Sequence, residues 1–218
     1  MFSGVKEKLE RASYFLNNLK TLADDAGGIA YIKSDKRQEM RANLDAFFFE
    51  IISAKDFFLQ GINDRYVGLS RRRGTDISEL KQQLSDVKAQ KVVTKIEKLL
   101  GNQRSELWTL NKYRNSATHR ELLHVGLEAT ITLEKAVFNN IQRQGKKVIK
   151  IIPEGQEKEV PPDAIKVEIP RDSVKMYLFK DPEDPSQGNM DIEIIPYCEQ
   201  SLEFMRTLLE KLYFELGI

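Results

Sequence analysis

Apolar residues recur every three or four positions from the start of the chain. Val5, Leu9, Ala12, Phe15, Leu16, Leu19 and Leu22 fall on one face of a predicted helix, which Gly27-Gly28 ends. A second predicted helix runs from about Asp35 to Tyr66. Leu44, Phe48, Ile51, Phe58 and Ile62 form its main stripe, and Phe47, Ile52 and Phe57 widen it. So broad an apolar face implies burial on more than one side, with Phe47-Phe48-Phe49 read as core. Asp76-x-x-Glu79 resembles a capping box and opens the next helical stretch, lined by Val92, Val93, Ile96, Leu99 and Leu100 as far as Gly101. Ser105 is placed to cap a helix carrying Leu107, Trp108 and Leu110, with Trp108 as its core anchor.

Beyond residue 120 the period changes. Leu127, Ala129, Ile131 and Leu133 alternate with Glu128, Thr130, Thr132 and Glu134, which is strand spacing. Further short strands are predicted over residues 147–152, 165–169, 174–179 and 191–195, divided by turns such as Pro161-Pro162 and Asp181-Pro-Glu-Asp-Pro185. All seven prolines lie between Pro153 and Pro196, so nothing of that kind interrupts the helices upstream. Leu202, Met205, Leu208, Leu209, Leu212 and Leu216 then restore helical spacing. The expected fold is mainly α, a helical bundle with a small β-rich insertion (α+β overall). It is read as one domain over residues 1–218, with the insertion at 124–195 and a last helix at 196–218 packing back on the bundle.

Composition narrows the function classes. The 34 basic and 33 acidic residues leave a net charge of +1, so no global basic field draws in nucleic acid, although a local patch still can. A single cysteine, Cys198, precludes an internal disulfide and a cysteine-rich zinc site, and reads as a buried thiol. Charges near the N-terminus do not suit a signal peptide, and the most apolar run, Ala46 to Ala54, is broken by Glu50 and far too short to span a bilayer. A cytoplasmic protein with no membrane partner is expected. The chain has no Gly-x-x-x-x-Gly-Lys-Ser/Thr loop, no Gly-x-Ser-x-Gly elbow, and no His-x-x-x-His or Cys-x-x-Cys pair, so no cofactor and no metal site is expected.

The candidate chemistry lies in Arg114-Asn115-x-x-x-His119. With 13 Arg, 10 Asn and 2 His in 218 residues, that spacing arises by chance about 0.006 times, far less often than a lone histidine. Asn115 and His119 share a helix face at i,i+4, whereas Arg114 stands about 140° around the axis from His119. The plainer alternative is a helix C-terminus at which His119 and Arg120 meet the negative end of the dipole. Arg71, Arg72 and Arg73 are either a phosphate-contacting patch or a solvated loop. Asp45, Glu50 and Asp56 on the second helix are acids able to face the motif.

These residues, closing one helix of a helical chain, resemble the signature of the HEPN superfamily: Arg, then commonly Asn, Asp or His, with a His four to six residues beyond the Arg. The resemblance covers about residues 1–122 and 196–218, and the strand-rich insertion departs from the family's minimal pattern. It implies a metal-independent endoribonuclease, of the kind found among toxins and defence effectors, with an antitoxin or other regulatory protein as a possible partner. Arg114 would hold the scissile phosphate, His119 would transfer the proton, and Asn115 would orient the imidazole or the RNA. Arg71, Arg72, Arg73 and Arg120 would contact RNA. Such domains pair their motifs across a two-fold axis, implying a homodimer in which a second His119 completes the acid–base pair; His124 is the alternative second histidine. A non-catalytic module that binds protein or nucleic acid, and a helical structural protein with a fortuitous motif, are the competing readings.

Overall fold

The computed structural model describes residues 2–26, 34–70, 76–119 and 192–218 and a few short strand segments between them, with the backbone alone in the strand segments before residue 192 and at residues 3, 25, 26, 34, 35, 37 and 116–119. Its frame is helical: α1 (Ser3–Ala26), α2 (Ser34–Tyr66), α3 (Ile77–Gln83), α4 (Val87–Gly101), α5 (Glu106–His119) and α6 (Ile194–Leu216). No described helix is long and apolar enough to cross a membrane.

α1 and α2 form the principal pair, and α2 also touches α4, α5 and α6. That central position accounts for its wide apolar face: Met40, Leu44, Phe47, Phe48, Ile51, Ile52, Phe58, Leu59 and Ile62 are all buried. The third phenylalanine of the run is not core. Successive residues turn by about 100°, so Phe47 and Phe48 face inward while Phe49 is 44% exposed, with the Lys8 ammonium 5.6 Å from its ring centre. Phe57 likewise lies at the rim, where it covers Gly4. A β-carbon at Gly4 would come 2.1 Å from the Phe57 ring, so any larger residue here would have to displace that half-exposed ring.

α2 stops where buried Asn63 folds the chain back. Its carboxamide donates to the Leu69 carbonyl and accepts from the Leu69 amide, both at 2.9 Å, and Gly68 supplies the positive φ of the turn. The stretch expected to run unbroken from Asp76 to Gly101 is two helices. Asp76 caps α3 by accepting from the Glu79 amide at 2.9 Å, and Asp86 caps α4 by accepting from the Ala89 amide at 2.8 Å. The second cap divides the stretch, and buried Leu84 fastens the break to the core.

α6 starts at Ile194, with Pro196 tolerated in its first turn, and ends in a left-handed cap at Gly217. It packs on α1, α2, α4 and α5, joining the two ends of the chain. The Tyr213 hydroxyl accepts from the Phe2 amide at 2.8 Å, and its ring meets Phe58 edge-on at 4.9 Å. Cys198 is fully buried, and burial pushes its thiol pKa far up, which leaves it inert.

Between α5 and α6 the description consists of short antiparallel ladders. Gly126–Ala129 pairs with Val174–Leu178, which also pairs with Ile192–Glu193; Thr132–Leu133 pairs with Val167–Glu168, and Ile149–Ile151 with Lys158–Val160. Most of residues 124–195 lie outside the described residues, so the expected β-rich insertion is not established as a unit.

Candidate functional site

α5 is fixed at its start and along one face. Ser105 is buried and its hydroxyl accepts from the Leu107 amide at 3.2 Å, as the sequence suggests. Leu107, Leu110 and Tyr113, at steps of three, are fully buried. Tyr113 stacks on Phe48 at 5.0 Å and meets Tyr197 of α6 edge-on at 5.7 Å. Trp108, expected as the anchor, instead sits half-buried on the next face with the Lys112 ammonium 5.0 Å from its ring; Tyr113 takes that role.

Burial of Tyr113 determines where its neighbour points. Arg114 turns to the edge of the α2–α5 contact, where one guanidinium nitrogen lies 3.3 Å from an Asp56 carboxylate oxygen. The other terminal nitrogen donates to the Asn115 carboxamide oxygen at 3.1 Å. Arg114 and Asp56 keep 25% and 27% of their side-chain surface open, so the pair is accessible while largely held. Asp56 also pairs with Lys55 beside it. One carboxylate therefore stands between two cations beside Asn115. An ordered guanidinium of this kind can receive a phosphate or another oxyanion without first being immobilised.

Of the acids on α2, Asp56 is the one in contact with the motif. Glu50 pairs with Lys8 at 2.8 Å, on the α1 side. Asp45 lies beside Arg41, and burial pushes its pKa up to about 6 against the smaller, opposing pull of that guanidinium. A second polar cluster joins α5 to α6: Ser201 donates to Glu106 at 2.9 Å, and burial together with the Glu106 carboxylate raises the Tyr197 hydroxyl pKa.

Arg114 and Asn115 are thus brought into contact, and His119 closes the same helix, its side chain lying outside the described residues. Arg71, Arg72, Arg73, Arg120 and His124 also lie outside them. Asp56 is the partner that chain position alone left unassigned among three acids. Helix-face arithmetic sets Glu50 aside, because Phe48, Ile52 and Asp56 repeat at i,i+4 on the side of α2 that receives α5, but it leaves Asp45 within the same arc. Among the described residues no group of three or more His, Cys, Asp or Glu side chains is placed to hold a metal ion. Set against known protein families, curated proteins and solved structures, the chain matches none.

Proposed function

We propose that this chain is a HEPN-type, metal-independent endoribonuclease: a helical bundle whose residues 124–195 are a strand-bearing elaboration, and which works as a homodimer on RNA. The observation that carries the reading is the Asp56–Arg114–Asn115 array, a charged guanidinium held at the rim of α5 five residues before a histidine. In the proposed reaction the RNA 2′-OH attacks the adjacent phosphorus while His119 takes its proton. The bond from phosphorus to the 5′-oxygen breaks, and that oxygen receives a proton from His119 of the second copy, leaving a 2′,3′-cyclic phosphate and a 5′-hydroxyl. Arg114 balances the charge that builds on the phosphorane, and Asp56 positions Arg114 without touching the substrate. Arg71, Arg72, Arg73 and Arg120 are proposed RNA contacts, and control by an antitoxin or similar protein in the cytoplasm accords with the reading.

The test is incubation of a mixed RNA pool with the purified protein in EDTA, beside His119→Ala of matched oligomer size. Cyclic-phosphate ends from wild type alone support the reading; equal cutting by both proteins overturns the motif assignment. The second reading is a non-catalytic binding module, and the Asp56–Arg114 pair is also what favours it, since it gives the arginine a structural partner. RNA that is bound but left intact by the wild type selects that alternative.

A further inference from the structure

A second basic feature lies on α4, away from the motif arginine. Lys88, Lys91, Lys95 and Lys98 repeat at steps of three, four and three. On a helix these fall within an arc of about 80° and rise about 15 Å, forming a row along one face. Three of them, with Lys81 from α3, Gln90 and Thr94, line an open groove of about 520 Å³ between α3 and α4. Among the described residues, no acidic and no apolar side chain lines it.

Two of these lysines are tied into the fold. Lys81 pairs with Glu97 and Lys95 with Glu215 of α6, each at 2.6 Å, which fixes the walls of the groove. Lys91 and Lys98 are exposed and, among the described residues, have no ion-pair partner. Their charge is available to a ligand. We propose that this groove binds the phosphate backbone of a single nucleic-acid strand, with Lys91 and Lys98 as the principal contacts.

The chemistry of the lining selects that partner. Ammonium groups repeated along a helix match a polymer with regularly repeated anionic charge. Gln90 and Thr94 add hydrogen-bonding groups suited to phosphate and sugar oxygens. Among the described residues no aromatic ring lines the groove to stack on bases, so binding should be insensitive to sequence. A lipid surface would be met by apolar side chains beside the cations, and the groove presents none.

The inference concerns binding and stands apart from cleavage by the motif. It is tested with the full chain and a 2′-O-methyl oligouridine of 20 nucleotides, which lacks the 2′-hydroxyl nucleophile and stays intact during the measurement. Affinity is followed by fluorescence anisotropy across a salt series for wild type, Lys91→Gln/Lys98→Gln and, as an equal-charge control, Lys6→Gln/Lys36→Gln on α1 and α2. Each phosphate contact contributes about 0.7 to the log–log salt slope on a single strand, so the groove variant should lose about 1.4 of slope and bind roughly tenfold more weakly at low salt. Its melting temperature should be unchanged because both side chains are solvated. The equal-charge control should keep the wild-type slope, and an oligocytidine should bind like the oligouridine. Equal weakening of the groove variant and the control overturns the proposal. So does a wild type that ignores the oligonucleotide, whether or not it binds phosphatidylserine vesicles.

Discussion

Tyr113 and Arg114 are adjacent in sequence and belong to different regimes of the molecule. Tyr113 has no exposed surface and sits in an aromatic seam with Phe48 and Tyr197 that locks α5 against α2 and α6. Arg114, one step around the helix, stands at a polar edge with a quarter of its side chain open and a carboxylate as its neighbour. The seam determines where α5 lies; the edge determines what α5 offers. Dispersion and burial dominate the first, and Coulomb interactions in partly exposed surroundings dominate the second. Fold and function should therefore separate at consecutive positions.

The largest effect belongs to the seam. Tyr113→Ala removes a stacked, fully buried ring and should cost about 3–5 kcal/mol in chemical denaturation, a loss typical of large aromatic truncations. It should also release Tyr197, visible as a change in near-ultraviolet circular dichroism. Next is Arg114→Ala, which should lower RNA cleavage by about 100- to 1,000-fold, the size of effect seen when one oxyanion-stabilising group is removed. Its stability should fall by no more than about 1 kcal/mol, because the lost ion pair is partly exposed. Asp56→Asn should act through the arginine, reducing cleavage by roughly tenfold in kcat with little change in KM, as expected for a group that orients a transition-state contact. An unchanged kcat would reduce Asp56 to a structural partner.

The smallest effect comes from Asp45, which shares the motif-facing side of α2 but lacks a comparable partner for its charge. Its pKa of about 6 in the fold exceeds the ordinary 3.8, so the folded chain retains a proton that the unfolded chain has released between those values. Stability should accordingly fall as pH rises from about 4 to about 6. Asp45→Asn should melt higher than wild type at pH 7, and the difference should vanish near pH 4. Thermal unfolding at the two pH values checks both the direction and the window.

Much of the helical frame was legible in periodicity. The stripes of α1 and α6, the broad face of α2, and the caps at Asp76 and Ser105 follow from spacing and side-chain chemistry. Elsewhere a local property was overruled by position. Phe49 is a large apolar residue left exposed and Trp108 one left only half-buried, each with a lysine beside its ring. The break before α4 went unread because Asp86 resembles any solvated acid until its hydrogen bond to Ala89 is seen. Residue types and spacing in Arg114-Asn115-x-x-x-His119 were plain from the chain, whereas the contact with Asp56 depends on how α2 crosses α5, which no local pattern specifies. The lysine row on α4 was present in the spacing and hidden by a net charge of +1, since a chain-wide sum cancels cations and anions on opposite faces.

The most direct test of the separation between seam and edge is Arg114→Ala assayed twice on one preparation. Cleavage of a 5′-labelled RNA in EDTA is measured first, then the melting curve and oligomer size of the same sample. A sample that folds and assembles like wild type yet no longer cuts is the expected result. Cutting at the wild-type rate by that folded variant, or loss of activity only in step with loss of the fold, would contradict the assignment of Arg114 as the group that meets the phosphate.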